Sequence, residues 1–252
     1  MINFVGAGCG AADLITLRGK RLIEEADVII YAGSLINKEL LSFSKKDAKL
    51  YDSAHMHLEE IMGIMINSER CALKVVRLHS GDPSLYGAIC EQMNVLDEAG
   101  IEYSICPGVS SLSGAASVLK KEYTPAELSQ TVIISRVQGN TMVPERERIS
   151  RLALHHATMV FFLSANLLDK LTKELIEGGY KEDEPAAIIY KATWPDELII
   201  NCTIGTIDKS AKDAGIYKTA LICIGDFLKG KGEKSKLYSK DFSTEYRNGV
   251  NK

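Results

Sequence analysis

No two of the six cysteines (Cys9, Cys71, Cys90, Cys106, Cys202 and Cys223) form a C-x-x-C pair. That spacing argues against a zinc site or disulfide frame and suits reduced thiols in a cytosolic protein. A basic surplus is also lacking. Thirty Lys and Arg against 33 Asp and Glu leave a formal net charge of −3, which speaks against nucleic acid or an anionic membrane as partner. No apolar run reaches membrane-spanning length, and Met1-Ile2-Asn3-Phe4 enters an apolar strand without a basic-then-apolar leader. There is no internal repeat, no low-complexity tract and only one tryptophan, Trp194. The chain therefore reads as cytoplasmic.

What is present is material for a core. Of 252 residues, 46% are hydrophobic and 25% charged, enough for one large domain or two small ones. Residues 2–5 read as a strand that runs into Gly6-Ala7-Gly8-Cys9-Gly10. Asp13 is placed to cap a helix over 14–26, with Leu14, Leu17, Leu22 and Ile23 near one face. Strands are expected at 28–31 and 49–52, a helix at 58–67 and a strand at 75–79. That strand stops on Ser80-Gly81-Asp82-Pro83, with a helix predicted over 85–96. A further strand ends at Cys106 before Pro107-Gly108-Val109-Ser110-Ser111.

Five strands alternating with helices imply a mainly parallel sheet covered on both faces, since parallel neighbours need crossover connections. The polar run 120–125 ends in a proline, so domains are expected at 1–120 and 121–228, with a weakly structured charged tail at 229–252. The second domain offers five strand candidates and three helices, and strands 185–190 and 197–203 are close enough for a hairpin. The fold class is thus α/β, with two α/β domains: a five-stranded mainly parallel sheet, then a mixed five-stranded sheet with helices.

Several stretches carry candidate chemistry. Ser80, Gly81 and Asp82 lie at a strand's carboxyl end, where open α/β sheets meet ligands, although a turn with a capping Asp reads equally well. Gly6, Gly8 and Gly10 approach the dinucleotide fingerprint but miss its final spacing, and no acidic residue follows the second strand. His55, His57 and His79 lack a supporting cysteine cluster, so no metal site is expected. Arg136 with Arg146, Arg148 and Arg151 is either a solvated helix start or a carboxylate-binding group. Trp194 is either packing or the lip of a cleft for a flat ligand.

Taken together, these runs resemble a known family. V-G-A-G-C-G-A-A-D-L-I-T at the start, S-G-D-P-S-L-Y-G from Ser80 and P-G-V-S-S from Pro107 look like the conserved-type loops of the tetrapyrrole methylases, the S-adenosylmethionine-dependent C-methyltransferases of sirohaem and cobalamin synthesis. Y-A-G-S-L at 31–35, S-R-V-Q-G-N-T-M-V-P-E at 135–145, A-T-W-P-D-E at 192–197 and S-K-L-Y-S-K-D-F at 235–242 are most like its precorrin-4 C11-methyltransferase branch. The chain departs from the pattern at Cys9, where the family usually has Pro, at Ala11-Ala12, and in the less basic Gln138-Gly139-Asn140.

The resemblance implies S-adenosylmethionine in the cleft between two domains. Cys9, Ser80, Gly81, Asp82, Leu85, Ser110, Ser111, Leu163, Ala192 and Ala220 would contact it, with Thr219 a weaker candidate. The tetrapyrrole would meet Gly8, Arg136, Arg146 and Trp194. A homodimer is implied, and no residue stands out as a general base. Rival readings are a related enzyme acting on another ring carbon or on the diphthamide precursor, and a nucleotide-binding module or NAD-dependent oxidoreductase.

Overall fold

The structure, a computed structural model, describes residues 1–230 and 239–250. The chain divides into two compact units. Unit 1 comprises Met1–Val118 together with Lys191–Glu197, and unit 2 comprises Leu119–Tyr190 and the described residues from Leu198 onward.

Unit 1 contains β1 (Ile2–Gly6), α1 (Leu17–Glu25), β2 (Val28–Tyr31), β3 (Lys49–Asp52), α2 (Leu58–Arg70), β4 (Val75–His79), α3 (Cys90–Glu98), β5 (Tyr103–Cys106) and α4 (Ser111–Leu119). Its five strands are all parallel, in the order β3-β2-β4-β1-β5. Central strands β1 and β4 are buried along their whole length, Asn3, Arg77 and His79 included, as strands inside a sheet covered on both faces are. Alternation sorts the side chains. Val5, Ile29, Val76 and Leu78 pack with Ile23 of α1, while Phe4, Ile30 and Val75 pack with Met62 and Met65 of α2 and Leu96 of α3.

Two predicted helices start later than expected. Thr16, not Asp13, caps α1, its hydroxyl accepting from the Gly19 N–H at 3.0 Å. Asp13 lies in a single 3-10 turn, and extended Ile15 separates that turn from the helix. The helix expected over 85–96 begins only at Cys90. Residues 83–86 form a turn in which Tyr86 and, just beyond it, Ala88 take positive φ angles of 56° and 50°. Tertiary fastenings, described below, hold these residues out of the helix that their propensities favour.

Unit 2 contains β6 (Val132–Arg136), α5 (Ile149–Ala153), β7 (Thr158–Phe162), α6 (Leu168–Glu177), β8 (Pro185–Tyr190), β9 (Leu198–Thr203), α7 (Ile207–Asp213) and β10 (Ala220–Ile224). The order is β6-β7-β10-β8-β9, with β6 and β7 parallel and the other pairs antiparallel. The predicted mixed sheet is therefore what forms. Its core gathers Met159 and Phe161 of β7, Leu168, Leu171 and Leu175 along one face of α6, and Ile188 and Ile222 from the sheet. The tail motif at 235–242 falls partly outside the described residues, which resume at Ser239.

Candidate functional site

The chain leaves β1 towards β2 but leaves β4 towards β5, although β1 and β4 are neighbours. Helix α1 then covers one face of the sheet and α3 the other. Such a switch point opens a crevice at the carboxyl ends of the strands, where ligands of open α/β sheets bind. Here the crevice is lined by backbone. The Ala7 N–H donates to the His79 carbonyl at 2.7 Å, and Gly8 and Gly81 exchange N–H···O bonds at 3.2 and 2.9 Å, lacing the two loops together.

Three strand ends meet on glycine. A Cβ on Gly108 would lie 2.2 Å from the Gly81 carbonyl oxygen and 2.7 Å from the Gly6 Cα. One on Gly6 would lie 2.6 Å from the Gly108 backbone. These atoms are main chain and cannot swing aside, so the contact admits no side chain. Asp82 secures the same junction. One of its oxygens accepts from the Gly108 N–H at 2.8 Å, the other from the Ser84 N–H at 2.9 Å and from the Ser84 hydroxyl. Burial would raise its pKa, but these hydrogen bonds outweigh burial and hold the carboxyl below the usual Asp value. Asp82 is thus tied to its own loops.

The segment 191–197, which links β8 to β9, belongs to unit 1 and packs on its first loop. The Thr193 hydroxyl accepts from the Ala11 N–H at 3.0 Å and lies 3.6 Å from the Cys9 sulfur. Gly10 leaves room for it: a Cβ there would sit 2.4 Å from Cδ1 of Trp194 and 2.5 Å from the Ala192 carbonyl. Lys191 Nζ lies 5.4 Å from the Trp194 ring centre, a cation–π distance, and pairs with Asp196. Lys191 and Thr193 have φ of 47° and 67°. Among the described residues of unit 1, four of the five non-glycine residues with positive φ (Tyr86, Ala88, Lys191, Thr193, but not Ala72) therefore lie in these loops. Strain of roughly 1–3 kcal/mol per residue persists only where surrounding contacts enforce it, and it gathers at functional sites.

The tetrapyrrole (corrin/porphyrin) methylases match the chain over residues 1–208. A relative named cobalt-precorrin-4 C(11)-methyltransferase in Methanocaldococcus jannaschii is 53% identical over 98% of this chain and 95% of its own. The chain belongs to the tetrapyrrole methylase family. The equivalent protein of Priestia megaterium is 44% identical over 99% and 98%. Among solved structures, a cobalt precorrin-4 methyltransferase described as a cobalamin biosynthetic enzyme superposes with a TM-score of 0.88 at 44% identity, covering 90% of this chain and 95% of that one. A uroporphyrin-III C-methyltransferase of Thermus thermophilus, complexed with S-adenosyl homocysteine, shares the fold at 24% identity and TM-score 0.77, covering 90% and 98%.

The other residues expected to matter in this tetrapyrrole methylase are placed as follows. In unit 1, Ser80 is exposed, Leu85 is half-buried in the 82–89 loop, and Ser110 and Ser111 open α4. Gly8 is buried with φ of 84°, Ala192 is buried, and Cys9 is buried against Gly114, where a Cβ would come within 2.9 Å of its sulfur. In unit 2, Leu163 directly follows β7, exposed and with φ of 52°, and Ala220 opens β10 paired with Tyr190. Arg136 donates to the carbonyls of Thr141 and Met142 at 3.2 and 2.9 Å and lines a cavity of about 160 Å³ with Gln138, Arg148, Lys170 and Glu174. Arg146 is exposed and meets Glu147, while Arg148 and Arg151 share Glu145. The arginine run is therefore largely matched by its own glutamates.

Three residues that carry geometry here escape a sequence reading: Thr193, Arg77 and Gln92. The last two are charged or polar yet buried, and bonded to each other. Nothing in the alternation of β4 or in the texture of α3 marks them. Among the described residues no group of His, Cys, Asp and Glu could hold a metal ion, and no helix is long and apolar enough to cross a membrane.

Proposed function

We propose that the chain is an S-adenosylmethionine-dependent methyltransferase acting on C11 of precorrin-4 or cobalt-precorrin-4 in cobalamin biosynthesis. The observation that carries this reading is end-to-end similarity, at 53% and 44% identity, to relatives named for that reaction. The family, the backbone-lined switch point of unit 1 and the fold shared with an S-adenosyl homocysteine complex support the cofactor.

The donor set of unit 1 fits such a cofactor. Strand-end amides and carbonyls, with the hydroxyls of Ser80, Ser110 and Ser111, suit a zwitterionic nucleoside, and Leu85 and Ala192 offer apolar contact. Gly81 (φ 61°) brings backbone close, and Cys9 stands behind Thr193. Asp82 holds the loops that make these contacts. Leu163 and Ala220 carry the same assignment within unit 2. Gly8 and Trp194 are assigned to the macrocycle, and Arg136 and Arg146 to its carboxylate arms. A homodimer and cytoplasmic location belong to the same proposal, carried by the family likeness.

When bound, S-adenosylmethionine supplies a methyl group already activated on its sulfonium. The chain's task is then to align an electron-rich ring carbon with that group, and positioning of this kind is worth ~7–11 kcal/mol of barrier. The absence of an evident base in the unit 1 loops agrees. Both Asp82 oxygens are occupied by the loops, and His79 is neutral, its pKa pushed down to about 3 by burial and by the Arg77 charge.

The direct test supplies methyl-labelled S-adenosylmethionine with precorrin-3 to precorrin-5 intermediates and locates the label by mass and carbon NMR. Label at C11 is expected; label at another ring carbon makes the chain a different member of the family. Calorimetry with S-adenosylhomocysteine and NAD side by side decides the cofactor, and binding of NAD alone would overturn the proposal. Two substitutions separate the binding roles. Asp82→Asn should weaken S-adenosylhomocysteine about tenfold or more, because its amide NH2 must face either the Gly108 or the Ser84 N–H, each of which a carboxylate oxygen now accepts. Arg136→Ala should raise the tetrapyrrole KM about tenfold with cofactor affinity intact, since a charged donor is lost. If both affinities fell together in that variant, the arginine would have no specific role with the tetrapyrrole.

A further inference from the structure

We propose that Gln92, oriented by Arg77, is a positioning residue that clamps the 82–89 loop in its binding shape; this rests on reading that loop as part of the S-adenosylmethionine site. Arg77 is the third residue of β4 and only 6% exposed. Its Nε donates to Oε1 of Gln92 at 3.2 Å and its Nη1 to the Ile30 carbonyl at 3.3 Å. Arginine carries donors only, so the Gln92 amide must turn its oxygen to the guanidinium. That leaves the Gln92 amide nitrogen facing the loop, where Nε2 donates to the Ala88 carbonyl at 3.1 Å.

Ala88 is where a clamp is needed. It and Tyr86 hold left-handed backbone, and Gly87 between them packs so closely that a Cβ would lie 2.2 Å from the Pro83 carbonyl oxygen. At its other end the loop is held by Asp82 to Gly108. The segment from Pro83 to Gly87, which presents Leu85, is thus suspended between two hydrogen-bonded posts. The second post stands on a buried guanidinium that ties Gln92 to β2 and β4. Asp82 fastens loop to loop, whereas Arg77 and Gln92 fasten the loop to the sheet.

Gln92→Glu separates the two halves of this clamp. A glutamate keeps an acceptor for Arg77 and adds charge pairing, but it sets a carboxylate oxygen against the Ala88 carbonyl. The expected result in the full-length protein has four parts: a melting temperature near wild type, amide hydrogen exchange about tenfold faster over 84–89, an S-adenosylhomocysteine Kd about tenfold higher, and a tetrapyrrole KM within about twofold of wild type. Gln92→Met, of similar volume and unable to donate, is expected to give the same exchange and affinity shifts. Wild-type loop exchange and wild-type affinity in either folded variant would overturn the clamp. So would faster exchange across the whole of unit 1 with both ligands weakened, the mark of a merely structural role. Faster loop exchange in Q92E, with no S-adenosylhomocysteine bound even by wild type, would overturn the cofactor reading and leave the clamp standing.

Discussion

Gly108→Ala is expected to abolish S-adenosylhomocysteine binding and to destabilise the protein. The new Cβ would sit 2.2 Å from the Gly81 carbonyl oxygen and under 3 Å from Gly6, all of it main chain at the ends of three paired strands. Relief requires β5 or β4 to shift, which breaks the Asp82 bond to the Gly108 N–H or the Gly8–Gly81 pairing. Overpacking in well-packed cores costs about 1–3 kcal/mol, and a rigid backbone on the far side puts this site at the upper end. Gly63→Ala supplies the contrast. Gly63 lies inside α2 with nothing within 4 Å of its would-be Cβ, so alanine there should add about 0.5–1 kcal/mol through helix propensity. Denaturant midpoints of the two variants, read beside calorimetric titrations, measure both. A Gly108→Ala protein with wild-type stability and affinity would show that the strand ends are looser than their distances imply.

The second large effect is on acid stability and belongs to His79. It is 5% exposed, its Nε2 has no hydrogen-bond partner among the described residues, and its ring lies 6.0 Å from that of Phe4. Burial first, and the Arg77 charge second, push its pKa down from 6.5 to about 3. Because the folded pKa is depressed, the unfolded chain takes up a proton that the folded chain refuses. The stability that follows is present above pH 6.5 and is lost as pH falls from 6.5 towards 3. At about 1.4 kcal/mol per pKa unit this approaches roughly 5 kcal/mol. The paired carboxylates Glu25, lowered from 4.5, and Asp27, Asp82, Asp169 and Asp196, lowered from 3.8, lose their contribution only as pH falls below about 5. The span from pH 6.5 to about 5 therefore reports chiefly on His79. His79→Leu, measured by urea unfolding at several pH values, should flatten that slope. An unchanged slope would mean that the imidazole reaches water.

Much of this was legible in the sequence. Val5, Ile29, Val76 and Phe161 lie in strands where apolar runs end on glycine, proline or serine, because local periodicity and turn chemistry are properties of neighbouring residues. The family could be seen for the same reason, since its motifs are short contiguous loops. The glycines were legible as a motif but not in purpose. Gly6 reads only as part of an incomplete dinucleotide fingerprint and Gly108 only within a family-like loop, whereas their missing side chains make room for each other's backbone. The helix expected from Leu85 failed because propensity is a weak local preference, and the Gln92 and Asp82 hydrogen bonds override it.

What only the tertiary structure decided depends on contacts between residues far apart in the chain. Thr193 reaches Ala11 across 182 positions, placing the 191–197 segment on the first loop rather than with the strands that flank it. Arg77 and Gln92 would be placed at the surface by residue type, and only the packing of α3 against β4 reveals them as a buried pair. The strands, the two-sheet class and the family follow from local pattern, which the chain carries wherever it is read. The arrangement of the site follows from which backbone atoms touch, and that is settled only when β1, β4 and β5 lie side by side with glycine at their ends.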